Sequence, residues 1–228
     1  MYAIDRWCET NKFSLEGKTF IIQGFGNVGK QIAQNLEEKG MKMIGVGNEY
    51  GYMIGKDGIA IQDFRNLLDE FSDKEFTEQS SQKLDNCSVV NKSQFMSTDC
   101  DIVILAAKEL QVDATIAENM KCSLVVEGAN GPVTMEADTI LQKKNIDLIP
   151  DILANSGGVQ VSYYEYLQNN TESLYSYQDI NNMLKGKMFK TFDHVQLVSW
   201  TSNSSLRDAS YYIAMRRIQD EYFRSNKA

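Results

Sequence analysis

The 228-residue sequence has few of the residues that build metal centres and disulfide scaffolds. His194 is the single histidine, and the four cysteines, Cys8, Cys87, Cys100 and Cys122, include no Cys-x-x-Cys pair. We therefore expect no metal site and no thioredoxin-like motif. Scattered reduced thiols favour an intracellular protein.

Basic charge and long apolar runs are also lacking. Lys and Arg number 23 against 31 Asp and Glu, and the net charge of −8 opposes attraction to nucleic acid or anionic lipid. No run of about 18 apolar residues is present, so no membrane span is expected. The first residues show no basic flank followed by an apolar stretch, which makes the cytoplasm the default location.

Short apolar runs, rich in β-branched residues, recur along the chain and alternate with segments of helical spacing. Continuous apolar strands alternating with amphipathic helices predict an α/β fold with a doubly wound, mostly parallel sheet. The predicted strands lie at residues 20–22, 43–46, 102–105, 124–126 and 146–149.

The first predicted strand is followed by GFGNVG at residues 24–29, a Gly-x-Gly-x-x-Gly motif that opens an amphipathic helix. In that context Gly24 permits a tight turn, Gly26 lets the backbone approach a pyrophosphate, and Gly29 allows close helix–sheet packing. The helix N-terminus supplies N–H groups to the phosphates. The motif predicts a Rossmann-type dinucleotide site, and the alternative is a tight turn with no ligand.

An acidic residue at the end of the second strand would complete such a site by binding the adenosine ribose. The strand ends with Asn48 followed by Glu49. If Glu49 binds the ribose, NAD is favoured; if Asn48 does, a 2′-phosphate is less strongly repelled and NADP becomes possible. The cofactor expected is therefore NAD or NADP.

The chain is long enough for one large domain, and we expect a single NAD(P)-binding domain over residues 1–228. Residues 1–167 form its Rossmann-like core and residues 168–228 a helical extension, with a helix-only pattern after Asn182. In the last predicted helix Ser205 is the N-cap, with Asp208 three residues on. An aromatic and apolar stripe follows, packing either on its own domain or on another domain or chain: Tyr211, Met215, Ile218 and Tyr222.

Three long motifs, in order, resemble the glutamate dehydrogenases of the Glu/Leu/Phe/Val dehydrogenase family. They are LEGKTFIIQGFGNVG at 15–29, EGANGPVT at 127–134 and IPDILANSGGVQVSYYEY at 149–166. LRDA at 206–209 and RRI at 216–218 resemble the family's last helix. The resemblance implies the C-terminal dinucleotide-binding domain of a nicotinamide-dependent amino-acid dehydrogenase.

The resemblance also implies roles for individual residues. Positions matching Gly26, Asn27 and Val28 contact the pyrophosphate and nicotinamide side, and the position matching Asn48 is commonly acidic and binds the ribose. The positions matching Ala106 and Ala107 line the adenine or nicotinamide path. Those matching Asn130 and Asn155 hold the nicotinamide ribose and carboxamide.

The family's substrate pocket is implied at Val159 and Ser162, where a serine helps the glutamate-specific members to bind the distal carboxylate. From the residues alone, Ser162 could equally be a helix-surface hydroxyl. The stretch NSGG at 155–158 offers amide and backbone donors to a carboxamide or carboxylate, or serves only as a helix cap. Asn48, Val133 and Gln160 depart from the family pattern.

The catalytic lysine and aspartate of the family lie in an N-terminal domain. Ahead of Gly24 this chain has only Lys12 and Lys18, and neither matches the family's lysine motif. We therefore assign no catalytic residue, and we expect the chain alone to have no glutamate dehydrogenase activity.

Two functions remain open at this point. The chain is half of an amino-acid dehydrogenase, as a fragment or as a separate polypeptide, or it is a non-catalytic nucleotide-binding or scaffolding subunit. Both imply a protein partner, with a homo-oligomer also possible. An unrelated Rossmann enzyme is a third interpretation. Because family members also occur in the mitochondrial matrix, that compartment is the alternative to the cytoplasm.

Overall fold

The structure is a computed structural model that describes residues 1–70, 76–171 and 174–225, and of Gln79 only the backbone. The described residues include seven strands, which form one sheet in the order β4-β3-β2-β1-β5-β6-β7. Their bounds are β1 Thr19–Gln23, β2 Lys42–Asn48, β3 Gly51–Gly55, β4 Cys87–Val90, β5 Ile102–Leu105, β6 Leu124–Glu127 and β7 Asp147–Ile149.

Helices fill most of the remaining described chain. They are α1 Tyr2–Asn11, α2 Asn27–Glu38, α3 Ile61–Glu70, α4 Glu78–Ser81, α5 Lys92–Met96, α6 Ala114–Asn119, α7 Met135–Lys143, α8 Asp151–Ala154, α9 Ser156–Asn170, α10 Tyr177–Ser202 and α11 Leu206–Ser225. Within the described ranges, no helix is both long enough and apolar enough to cross a membrane.

The predicted doubly wound, mostly parallel sheet is confirmed. Strands β1, β2, β5, β6 and β7 run parallel; the first four contain their predicted runs, and β7 begins one residue after the start of the predicted run 146–149. Alternate strand residues face two separate core clusters, so that Ile22 and Ile104 pack with α2 and α10 while Ile21 and Val103 pack with α5 to α7. Burial on both faces explains why these strands are continuously apolar.

Strands β3 and β4 were not predicted from the sequence. β3 is short and bounded by Gly51 and Gly55, a pattern that is typical of a loop. It forms because a two-residue turn at residues 49–50 folds it back antiparallel onto β2, and β4 then pairs with its outer edge. The sheet is therefore mixed at this edge.

The helix-only part of the chain begins earlier than the predicted Asn182. β7 ends at Ile149, and only helices follow it in the described residues, starting with α8. α10 begins at Tyr177, where Ser176 and Asp179 form a reciprocal capping box. The predicted boundary between residues 167 and 168 falls inside α9.

Helices α10 and α11 contribute buried residues, among them Phe192 and Ile213, to the same core cluster as β1 and β5. This packing supports the single-domain prediction, which stays a prediction. The predicted N-cap of α11 is present, because the Asp208 N–H donates to Ser205 Oγ at 3.0 Å.

Candidate functional site

The candidate site lies at the carboxyl ends of β1 and β5. The chain leaves these neighbouring strands in opposite directions, towards β2 from one and towards β6 from the other, which makes this the switch point of the sheet. The loops after β1, β5 and β6 lie side by side there. The Ala106 N–H donates to the Gln23 carbonyl at 2.7 Å, and the Gly128 N–H donates to the Leu105 carbonyl at 2.8 Å.

The glycines of the first loop have distinct roles. Gly24 has a φ of +96°, and a Cβ there would lie 2.4 Å from the Ala106 carbonyl carbon. A Cβ on Gly29 would lie 1.9 Å from the Gly24 carbonyl oxygen, so α2 meets the loop more closely than any side chain allows. Of the three glycines in this motif, Gly26 is the one whose added Cβ would meet no heavy atom within 4 Å. Gly24 and Gly29 shape the loop, and Gly26 leaves open space beside it.

This loop fits a dinucleotide pyrophosphate. Gly26 is the N-cap of α2 and has no side chain to cap the first N–H groups of the helix. Asn27 and Val28 are exposed in the first turn, which contains no acidic residue. Uncapped N–H donors, the positive end of the helix dipole and open space are what an anionic phosphate requires.

The two candidate ribose residues lie at the hairpin between β2 and β3 and differ in chemistry. Asn48 Oδ1 accepts the Tyr50 backbone N–H at 2.8 Å, so its oxygen is committed to the turn. What Asn48 can offer a ribose is therefore the N–H groups of its amide. Glu49 is exposed at the tip of the turn and keeps a carboxylate, the group that accepts hydrogen bonds from ribose hydroxyls.

The structure brings Asn130 and Asn155 together. Asn155 Nδ2 donates to Asn130 Oδ1 at 2.7 Å, although the two residues are 25 positions apart. Asn155 makes no side-chain hydrogen bond that caps α9, so its amide serves this contact rather than the helix end. The pair retains an amide donor on Asn130 and an acceptor on Asn155, a combination that matches a carboxamide or a ribose hydroxyl.

Ala106 and Ala107 follow β5 and border both parts of the site. Ala106 closes against Gly24 on one side, and on the other its Cβ lies 3.4 Å from the position that a Cβ on Gly128 would take. Ala107 is exposed. These two residues therefore connect the glycine loop with the loop that carries Asn130.

Val159 and Ser162 lie three positions apart on α9, so they share one face of the helix. Val159 is 77% exposed, and Ser162 is exposed. The resemblance assigns both residues to the substrate pocket, and in this structure their side chains are open to solvent.

Sequence reasoning did not identify a buried amide chain beneath the glycine loop. Gln23 Nε2 donates to Gln111 Oε1 at 2.8 Å and to Tyr52 Oη at 3.0 Å, joining β1, the loop after β5, and β3. Gln23 Oε1 is buried and accepts no hydrogen bond from the described residues. The signal was present, since Gln23 is the polar residue that follows the apolar run at 20–22 and ends β1.

Sequence reasoning also did not identify a buried cluster of charged side chains behind Asn130 and Asn155. Arg207 Nη2 lies 2.8 Å from Glu127 Oε1, and its Nε lies 2.7 Å from Asp138 Oδ2. Burial raises the pKa of Glu127, which Arg207 and the Asp151 N–H only partly offset. Burial lowers the pKa of Arg207, but its hydrogen bonds and ion pairs with Glu127 and Asp138 raise this pKa by more, so that the net shift is upward.

Together, a mostly parallel sheet, an open glycine loop at its switch point and a helix N-terminus beside that loop define a Rossmann-type dinucleotide-binding fold. Residues 1–225 match the model of the Glutamate/Leucine/Phenylalanine/Valine dehydrogenase family, and the chain belongs to that family.

Individual relatives agree with this assignment. The NAD-specific glutamate dehydrogenase of Staphylococcus aureus (strain COL) is 35% identical over 215 residues, which are 94% of this chain and 50% of that protein. The catabolic NAD-specific glutamate dehydrogenase RocG of Bacillus subtilis (strain 168) is 34% identical over 94% of this chain and 49% of its own length. The chain thus spans about half the length of these curated relatives.

Solved structures show the same fold. The hetero-hexameric glutamate dehydrogenase of Thermus thermophilus superposes with a TM-score of 0.85 at 21% identity, over 96% of this chain and 50% of that one. The glutamate dehydrogenase of Peptoniphilus asaccharolyticus gives a TM-score of 0.75 at 27% identity, again over 96% and 50%.

Proposed function

We propose that this chain is the NAD-binding half of a glutamate dehydrogenase and needs a second, complementing domain for catalysis. The open space at Gly26, beside the uncapped start of α2, carries the proposal. The 35% identity to an NAD-specific glutamate dehydrogenase supports NAD over NADP, as does the exposed carboxylate of Glu49.

In this proposal each part of the cleft binds a different part of the dinucleotide. The N–H groups at the start of α2 bind the pyrophosphate, and Glu49 accepts the hydroxyls of the adenosine ribose. Asn130 and Asn155 orient the nicotinamide end, with Ala106 and Ala107 between. The bound nicotinamide supplies the acceptor for the hydride that leaves the α-carbon of L-glutamate.

The substrate occupies the cleft wall formed by α9. Val159 contacts the aliphatic part of the glutamate side chain, and Ser162 donates a hydrogen bond to its distal carboxylate. Their exposure means that this wall binds substrate firmly only when a second domain closes over it and excludes water.

In the part of the chain that the structure describes, the two carboxylates that hold the loops of Asn130 and Asn155 are both engaged in hydrogen bonds. Glu127 accepts the N–H groups of Val133 and Asp151 as well as Arg207, and Asp151 accepts those of Gly131 and Ile152. Proton transfer by a positioned group contributes about 10²–10⁴-fold to a rate. We therefore propose that the isolated chain is inactive.

NADH titration of the purified chain, followed by nicotinamide fluorescence, tests the nucleotide site. We expect saturable binding that Gly26→Trp abolishes, because the new ring fills the open space beside the loop. Gly186→Trp is the matched control, since a Cβ on Gly186 in α10 also meets no atom within 4 Å. Absence of NADH binding by the parent chain would contradict the proposal.

A turnover assay with L-glutamate and either NAD or NADP tests the requirement for a second domain. We expect no reduction of either cofactor by the purified chain. Sustained turnover would show that the acid–base groups are already within it.

A non-catalytic nucleotide-binding or scaffolding subunit is the second candidate function. Asn48 favours it, because its oxygen is committed to the turn at the position where the family commonly has an acid. In either function the location we predict is the cytoplasm, with the mitochondrial matrix as the alternative.

A further inference from the structure

Arg207 is the second residue of α11, and three carboxylates from three different elements surround it. Glu127 ends β6, Asp138 lies on α7, and Asp151 begins α8, with Asp151 Oδ1 3.5 Å from Arg207 Nη1. The side chains are buried: Arg207 is 14% exposed, Glu127 0%, Asp138 8% and Asp151 14%. The guanidinium thus joins β6, α7, α8 and α11.

Two of these carboxylates also hold the loops that carry the asparagine pair. Glu127 Oε2 accepts the Asp151 N–H at 2.8 Å, and Asp151 Oδ2 accepts the Gly131 N–H at 2.8 Å. Gly131 is the neighbour of Asn130, and Asp151 opens the helical turn that ends at Asn155. The two amides that meet at 2.7 Å therefore stand on loops joined through Glu127 and Asp151.

We propose that Arg207 is a positioning residue that fixes the Asn130–Asn155 pair for the nicotinamide end of the cofactor. The inference rests on the proposed function, because it assigns that end of the cofactor to the pair. Arg207 itself touches neither asparagine and acts through Glu127 and Asp151.

The charge balance of the cluster explains why Arg207 is needed. Three buried carboxylates surround one guanidinium, and removing it leaves buried negative charges without compensation. The carboxyl groups would then separate, take up protons or draw in water, each of which alters their hydrogen bonds, and because Glu127 and Asp151 hold both loops, the loops would move apart. Lysine cannot replace the fork of N–H donors that meets Glu127 and Asp138 at once.

Asp138 provides a matched control. Its carboxylate binds the same guanidinium from α7, but its other hydrogen-bond partner among the described residues is Gln142 of the same helix rather than either loop. Asp138→Asn therefore weakens the ion cluster and leaves the Glu127 and Asp151 links in place. If Arg207 only stabilised the fold, Arg207→Ala and Asp138→Asn would affect the asparagine pair and NADH binding equally when compared at equal loss of melting temperature.

The first readout is the NMR chemical shifts of the side-chain amide groups of Asn130 and Asn155 in the nucleotide-free chain. We expect Arg207→Ala to move the Asn155 resonances towards those of a solvated amide, with Asp138→Asn leaving them in place. Arg207→Lys should lie between the two. If Arg207→Ala does not fold, Asp151→Asn takes its place, with the same shift expected, and Arg207→Lys should give a smaller shift in the same direction.

NADH affinity is the second readout. We expect Arg207→Ala to raise the dissociation constant about tenfold, the effect of losing roughly one well-placed hydrogen bond, and Asp138→Asn to change it less than about twofold. The inference would be overturned if Arg207→Ala showed the same Asn155 resonances and the same NADH affinity as Asp138→Asn. If the parent chain binds no NADH, the proposed function fails, and the resonances alone decide whether Arg207 positions the pair.

Discussion

At the scale of single residues, Gly24 combines a conformational and a steric requirement. Its φ of +96° disfavours any side chain, and the Ala106 carbonyl occupies the space of a Cβ. Gly17 separates the two effects, because it has a φ of +72° but would place its Cβ more than 4 Å from other atoms. We expect Gly17→Ala to lower the free energy of unfolding by about 1–2 kcal/mol, and Gly24→Ala by more than that.

Denaturant unfolding of both variants measures this difference, and NADH titration accompanies it. Gly24→Ala should also lose NADH affinity, because the loop must move away from Ala106, whereas Gly17→Ala should keep it. Equal unfolding losses in the two variants would show that the approach to Ala106 is unimportant.

Asp101 makes stability depend on pH. Burial alone would raise its pKa, but the Thr19 N–H at 2.8 Å, the Thr19 hydroxyl and Lys18 outweigh burial and lower the pKa. A carboxyl with a lowered folded pKa stabilises the fold above its unfolded pKa of about 4, and this stabilisation is lost as pH falls through the folded pKa. Acidification below about pH 4 should therefore remove it.

Asp101→Asn tests this dependence, with a loss of about 1 kcal/mol expected at neutral pH. The gap in melting temperature between parent and variant should shrink on acidification, because protonation abolishes the same interactions in the parent. Asp99→Asn, at an exposed neighbouring position, removes the same formal charge and should show little gap at either pH. A gap for Asp101→Asn that persists at low pH would contradict the assignment.

Local spacing determined which site residues could be predicted at this scale. The glycine loop was predictable because the three glycines that shape it fall within six consecutive residues. Asn130 and Asn155 came from resemblance to the family, and their mutual hydrogen bond was not foreseen. Arg207 meets Glu127 and Asp138 from 80 and 69 positions away, and no periodic pattern encodes such a contact.

At the scale of elements, buried parallel strands were the most predictable part of the fold. β1, β5 and β6 are apolar on both faces, which produces continuous runs in the sequence. β3 and β4 carry no such signal, since β3 begins and ends with a glycine and most of β4 is only half-buried. Their strand conformation depends on pairing with the edge of β2, a tertiary contact.

At the scale of the whole molecule, about half of each matched relative has no counterpart in this chain. The apolar face of α11 is exposed, with Met215 at 68% and Ile218 at 72%. The apolar stripe of α11 was expected to pack either on its own domain or on another domain or chain, and packing on its own domain is not observed. The same exposure affects Val159 of the proposed substrate wall.

Native mass spectrometry of the endogenous assembly checks the proposed protein partner. We expect a complex, and a companion with a lysine- and aspartate-bearing domain of the family would identify half of a split dehydrogenase. A companion from an unrelated family would favour a scaffolding or nucleotide-sensing subunit. Recovery of a monodisperse monomer alone would contradict the partner.

Helix α11 is about 30 Å long at 1.5 Å per residue, and the body of the protein supports only its first half. Ala209, Ser210 and Ile213 are buried, whereas every residue from 215 to 225 is exposed. Isolated helices of about a dozen residues are only marginally stable in water. We expect amide hydrogens beyond Ile218 to exchange with deuterium far faster than those near Ile213, and a bound partner to slow them. Deuterium uptake by the far half of α11 should therefore report whether the proposed partner covers this helix.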